Sequence, residues 1–245
     1  MFPIRFQTKK SIPIFSIFAI IVLVFAGSAE NLIRAIQQKS SQPGGYSTTF
    51  MCIALNTNTV KTFLPVISVL SFSGTYVDDM KSKFVRFYLI RTDIRKYLWS
   101  RTLTCVFYGG SIVFLGEILS WGISVLIFLP AEGTTERSTV SDSQLWEILA
   151  LFFLSGGLWA VVGMTMSTFM ESKYIAYASP FIIYYLLVIL CERYFPNAAL
   201  LYPPNWTNPD VWPFGALGAA IFLLELTAIC GIVFIIRAGK RLQEL

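Results

Sequence analysis

The chain has 245 residues, 55% of them hydrophobic and only 13% charged, with a net charge of +5. Soluble domains run near about 25% charged, so the composition excludes an ordinary globular protein, and its apolar content excludes a disordered one. One compact domain is expected at this length, and five to seven spans of about 20 apolar residues each consume nearly all of it.

Arg5, Lys9 and Lys10 precede the apolar run 12–29. A basic start, a short apolar core and Ala26-Gly27-Ser28-Ala29 before Glu30 also fit a cleavable signal peptide. Retained, the run is the first of six spans and leaves both basic ends of the chain on one side. Glu30 to Tyr46 is polar and ends in the turn signal Gln42-Pro43-Gly44-Gly45. The second span, 55–76, starts ambiguously. Phe50–Leu55 is apolar, but Asn56-Thr57-Asn58-Thr59 and Lys61 interrupt it. The early part is expected at the outer interface or as a polar first turn, with Lys61 snorkelling outward. Pro65 bends this helix, and Ser68, Ser71, Ser73 and Thr75 make it rich in hydroxyls. These either bond back to the helix and across to neighbours or face a substrate path.

The stretch Tyr76 to Arg101 is the one long charged segment and carries Lys81, Lys83, Arg86, Arg91, Arg95, Lys96 and Arg101. Span three is 102–129, with Glu117 near its middle. A polar loop leads to span four, 145–169, opened by the interface anchor Trp146. Gly156, Gly157, Ala160 and Gly163 give span four a small-residue face for close helix packing. Span five is 174–194, with Pro180 inside. Residues 195–213, rich in Pro, Asn and Trp, read as a tight cap on the outer side; the sequon Asn205-Trp206-Thr207 either belongs to that cap or accepts a glycan in a secretory-pathway host. Span six is 214–236, with Glu225 at mid-span, and a basic tail follows.

The expected fold is therefore all-α: six transmembrane helices in a single transmembrane domain covering 1–245, with a cytoplasmic segment 77–101 between helices two and three. Orientation follows from the distribution of Lys and Arg. Arg5, Lys9, Lys10, the seven residues of the charged stretch, Lys173, Arg237, Lys240 and Arg241 fall on one side; Arg34, Lys39, Lys61, Arg137 and Arg193 fall on the other. The richer side is cytoplasmic, so both termini are too. The basic excess reports this orientation and contact with the lipid bilayer; nucleic acid is not an expected partner.

Several chemistries are absent. The chain has no histidine, which removes His-based zinc sites, general bases and Ser-His-Asp triads. No G-x-x-x-x-G-K-[ST] loop is present to cradle ATP phosphates. Cys52, Cys105, Cys191 and Cys230 are scattered through mostly apolar sequence without a C-x-x-C pair and read as structural thiols. Neither an enzyme nor a cofactor-binding or metal-binding chain is expected.

Within the charged stretch, Met80, Phe84, Phe87 and Tyr88 recur at spacings of three and four, an apolar stripe if residues 77–88 are helical. Asp78 and Asp79 fall in its first turn, where carboxylates suit the positive helix end, and Arg86 near its last. Thr92-Asp93 starts a second helix that leads through Tyr97 into span three. Such a segment is either a positive-inside loop resting on anionic lipid or a helix that docks on another protein; its aspartates and aromatics favour the protein.

The run of Asp79, Lys83, Arg86, Leu89, Arg95, Tyr97, Ser100 and Arg101 resembles the segment between helices two and three in permease subunits of ABC-2-type ABC transporters. Arg91-Thr92 stands where that family often has a glycine in the turn, and Arg101 where it often has lysine. The resemblance extends to the six-span layout, the cytoplasmic ends and the missing ATP motif. It implies that the segment is a coupling helix on which a separate ABC ATP-binding subunit sits, through Asp78, Asp79, Lys83, Arg86, Phe87, Leu89, Arg91, Arg95 and Tyr97. ATP and Mg are then held by that partner, a second permease copy or paralogue completes the assembly, and the cell membrane is the location. The implied activity is export of a peptide, antibiotic or other amphipathic cargo.

Glu117 and Glu225 are the remaining sharp features, because a mid-membrane acid is costly and usually faces the bundle interior or water. They either fix helix packing in neutral form, contact a basic cargo, or carry ions and protons. In that last case the chain is an ion-coupled secondary transporter. A non-transporting anchor or sensor partner is a further alternative.

Overall fold

The computed structural model describes residues 11–30, 46–70, 72–81, 93–128, 142–170, 172–195 and 198–243. The described residues form helices and short turns, with no strand among them. The helices are α1 (Ser11–Gly27), α2 (Tyr46–Leu55), α3 (Asn58–Leu70), α4 (Thr75–Lys81), α5 (Ile94–Phe128), α6 (Asp142–Met170), α7 (Lys173–Arg193) and α8 (Ala216–Gln243). Three single 3-10 turns lie between α7 and α8.

Five stretches are long and apolar enough to cross a membrane: Asn58–Lys81, Ile94–Phe128, Ser143–Met170, Lys173–Arg193 and Ala216–Leu242. The protein is thus an all-α membrane protein. The apolar helix α1, at 17 residues, is about 25 Å long, short of a hydrocarbon core of about 30 Å. Helix α5, at 35 residues, is about 52 Å long and extends well beyond that thickness. Its first two turns hold the charged residues Arg95, Lys96 and Arg101, so it starts earlier than hydropathy alone indicates.

Helix α6 is the centre of the bundle and packs on α5, α8, α7 and α3. Its small residues make this possible. A Cβ on Gly109 of α5 would lie 2.9 Å from the Gly156 carbonyl oxygen of α6, and one on Gly163 would lie 2.5 Å from the Ala176 carbonyl of α7. No side chain fits at either place, so the helix backbones approach as closely as expected from the small-residue face. Large exposed apolar side chains such as Phe107, Leu115, Ile182, Leu186 and Ile221 clothe the outside, as suits helices whose solvent is lipid.

The second expected span is segmented. The Asn56 amide donates to the Cys52 carbonyl (3.2 Å) and the Thr57 hydroxyl to the Ala54 carbonyl (2.7 Å). These side chains compete with the helix ladder and end α2. Contrary to the outward snorkelling expected of it, Lys61 is buried, and its Nζ donates to Asn56 Oδ1 at 3.0 Å. Helix α2 is itself packed into the bundle. Phe50, Met51, Ala54 and Leu55 are buried, and α2 packs on α5 and α6. Of the hydroxyls noted in the expected second span, Ser68 bonds back to the Pro65 carbonyl (3.2 Å) and Thr75 to that of Phe72 (2.6 Å), Ser73 reaches across to the Ala160 carbonyl of α6 (2.9 Å), and Ser71 lies outside the described residues.

Residues 198–215 close one end of the bundle. Trp206 stacks on Trp159 of α6 with centroids 5.6 Å apart, and its indole N–H donates to the Leu200 carbonyl (2.9 Å). Trp212 packs on Phe222 (5.0 Å) and donates to the Asn205 carbonyl (2.8 Å). Thr207 of the sequon is buried. The Tyr202 phenol, outside the spans, donates to Glu192 Oε1 at 3.0 Å; burial and this acid raise its pKa.

Candidate functional site at the basic end of the bundle

The N-terminus of α5, the turn from α6 to α7, the C-terminus of α8 and helix α4 meet at the opposite end from the tryptophan cap. Helix α4 is short, seven residues, with Asp78 in its first turn and Lys81 in its last. Tyr76 and Val77 bury it against the bundle, Tyr76 meeting Phe234 of α8 edge-on at 5.2 Å.

Asp79 is the hub. Its Oδ2 lies 2.5 Å from the Arg101 guanidinium and accepts from the Tyr97 hydroxyl at 3.1 Å. The Arg101 and Asp79 side chains are only 9% and 19% exposed, so this ion pair is screened little by water. Arg101 also lies over the Phe72 ring, 4.9 Å from its centroid, and Phe72 in turn stacks on Tyr108 at 5.2 Å. The cation therefore has an acid on one side and an aromatic face beside it. One residue away, Asp78 pairs with Lys173 at the start of α7. Gly74, just before α4, sits against Tyr177 of α7: a Cβ there would be 2.9 Å from the ring carbon Cζ. At the same end, Arg237 of α8 lies over Phe169 of α6 at 4.7 Å, and Arg241 donates to the Phe169 carbonyl at 3.4 Å.

Of the proposed docking residues, Asp78, Asp79 and Tyr97 are thus engaged inside the chain, with Asp78 still half exposed. Arg95 is exposed in the first turn of α5, beside Lys96, which pairs with Asp93 at 3.2 Å on the surface. Lys83, Arg86, Phe87, Leu89 and Arg91 lie outside the described residues, as does most of the helix expected over 77–88. Asp93 precedes α5 and its carbonyl accepts from the Tyr97 amide at 3.1 Å, in line with the second helix start read at Thr92-Asp93. Arg101 and Lys173 were not among the expected site residues. Their signal was a pair of acids and two cations bracketing the ends of three apolar runs.

No protein-family model matches the chain, and no curated protein or solved structure matches it either.

The two mid-span acids are not brought together. Glu117 is 1% exposed and lines a cavity of about 10 Å³ with Ile20 and Leu23 of α1, Val60, Leu64 and Ile67 of α3, and Val113 of α5. That volume is about one water, and no residue of α8 lines it. Glu117 Oε2 has no hydrogen-bond partner among the described residues. Glu225 lies on the exposed face of α8. Among the described residues no group of three or more Cys, Asp or Glu could hold a metal ion, and all four cysteines are free, three of them buried.

Proposed function

We propose that this chain is the membrane-spanning permease subunit of an ABC-2-type transporter, with six spans and both termini in the cytoplasm of the cell membrane. Helix α1 is the first span, and α2 joins α3 and α4 in the second. A separate ATP-binding subunit docks on the cytoplasmic segment 77–101 and supplies ATP and Mg; a second permease copy or paralogue completes the pathway. The work is export, of a peptide, antibiotic or other amphipathic cargo.

The observation that carries this reading is the Asp79–Arg101–Tyr97 cluster together with the Asp78–Lys173 pair. A docking segment can move helices only if it is tied to them. Here α4 is tied by one acid to α5 and by the next to α7, through a desolvated ion pair and close packing. A push on the segment is then passed to three spans as one body. In this reading Asp79 and Tyr97 are positioning residues, while Lys81, Arg95 and residues 82–92 form the surface that meets the ATPase. A loop that merely rests on lipid has no need of this bracing.

The test is co-purification of the tagged full chain from its native membrane in mild detergent. An ATPase with a Walker motif is expected to come with the wild-type chain and to be lost when Asp79, Arg86 and Arg95 are replaced together. A chain that purifies without an ATPase overturns the proposal.

A further inference from the structure

Helix α8 packs on α6 and α5 through Ala219, Leu223, Phe234 and Ala238, all buried. Its other side carries Leu217, Ile221, Leu224, Ala228, Ile232 and Ile236, spaced by three and four residues and all exposed. Glu225 stands in the middle of this stripe, exposed, with no hydrogen bond or ion pair among the described residues.

Depth makes that position informative. From Ala216 to Ile236 the helix rises about 30 Å, the thickness of the hydrocarbon core. Glu225 lies about 14 Å from one end of this stretch and about 16 Å from the other. A carboxyl at that depth is costly against acyl chains and is ordinarily found against protein or in a water-filled cavity.

The chain itself offers no mid-depth cation to meet it. Runs 102–129, 145–169 and 214–236 contain no Lys or Arg, and the chain has no histidine. Lys61 and Arg101, at the ends of their spans, are buried and already engaged with Asn56 and Asp79. A carboxylic acid, however, complements itself: protonated, it donates through O–H and accepts through C=O. A twofold contact brings the same residue of two subunits face to face, and two such groups then satisfy each other without any charge.

We infer that the Leu217–Ile236 face of α8 is the contact between two copies of this chain, centred on a hydrogen-bonded pair of Glu225 carboxyls. The inference deepens the two-subunit reading above and rests on it for the number of copies. A second chain with a lysine at mid-depth is the competing occupant, and glutamine separates the two. Gln keeps both a donor and an acceptor and remains self-complementary, but it cannot form an ion pair.

The experiment uses the full chain, with Cys52, Cys105, Cys191 and Cys230 replaced, in phosphatidylethanolamine–phosphatidylglycerol vesicles. Single cysteines are placed at Ile221 or Ala228, on either side of Glu225, and at Leu186 on the exposed face of α7 as a control. Oxidative cross-linking is expected to give at least about fivefold more dimer at 221 and 228 than at 186. Glu225→Gln is expected to keep most of that yield, and both Glu225→Ala and Glu225→Leu to lower it several-fold; the Leu variant extends the apolar stripe and guards against a packing defect. Dimer no greater than at 186, yield indifferent to Glu225→Ala and Glu225→Leu, or Glu225→Gln as poor as Glu225→Ala each overturn the inference. Co-purification of the ATPase is scored on the same material. If the ATPase is present but the cross-link fails, the α8 contact falls and the permease reading stands; if both fail, both fall.

Discussion

Removing Arg101 is the sharpest perturbation of the cluster, because it leaves Asp79 facing a largely dry environment. The pair is 9% and 19% exposed at its two side chains. Taking one partner from a buried pair costs about 3–5 kcal/mol, and the loss of the Phe72 contact adds about 0.5–2 kcal/mol. Arg101→Met is therefore expected to lower stability by about 4 kcal/mol. Asp79→Asn should cost somewhat less, since the amide oxygen still accepts from Tyr97. The double variant Asp79→Asn/Arg101→Met leaves no unpaired charge and should lose less than the sum of the singles, with a coupling of about 1–3 kcal/mol. The assay is reversible unfolding of the purified chain in mixed micelles with rising SDS fraction, read by tryptophan fluorescence. Additive effects within about 0.5 kcal/mol, or a single Arg101→Met change below about 1 kcal/mol, would refute the claim that this ion pair braces α4 against α5.

Three further expectations follow from the packing. Gly109→Val puts side-chain atoms against the Gly156 carbonyl and should cost at least about 1–3 kcal/mol in the same unfolding assay; no change would mean that α5 and α6 are not in close contact. Trp206→Ala removes the stack on Trp159 and should cost about 3–5 kcal/mol while opening residues 198–213 to protease, read by limited proteolysis of the purified chain. Glu117→Leu removes a buried acid whose Oε2 has no partner among the described residues and should leave the chain as stable or more stable, by up to about 2 kcal/mol; a clear loss of thermal stability would mean that the carboxyl holds α1, α3 and α5 together.

The later spans were legible because hydropathy and helix coincide there. Expected limits of 145–169, 174–194 and 214–236 compare with Asp142–Met170, Lys173–Arg193 and Ala216–Gln243; the helices overrun the apolar runs where polar turns continue past the lipid. The third span begins at Ile94 rather than 102, since hydropathy marks where lipid begins and not where a helix does. The split at Asn56-Thr57 was visible as polarity, but its consequence was not. Whether Lys61 points to water or back to Asn56 depends on what α2 packs against, a tertiary matter. Likewise the sequence marked Asp78, Asp79, Tyr97 and Arg101 as notable without revealing that three of them form one cluster. The pairing joins residues 22 positions apart in the sequence, and Lys173, on a different helix, completes the neighbouring pair. Glu117 and Glu225 carried the same hydropathy signal, yet one is buried in the bundle and the other exposed on α8, a difference set by which face of each helix is packed.

The central claim, that the basic end is a socket for an ATP-binding subunit, is tested most directly by site-specific photocross-linking in intact cells. A photoreactive amino acid at Lys83, Arg86 or Arg95 should give an adduct with a Walker-motif ATPase, identified by mass spectrometry, while the same probe at Val211 in the tryptophan cap should give none. Absence of an ATPase adduct from all three of these positions, or an equal adduct from Val211, would contradict the account.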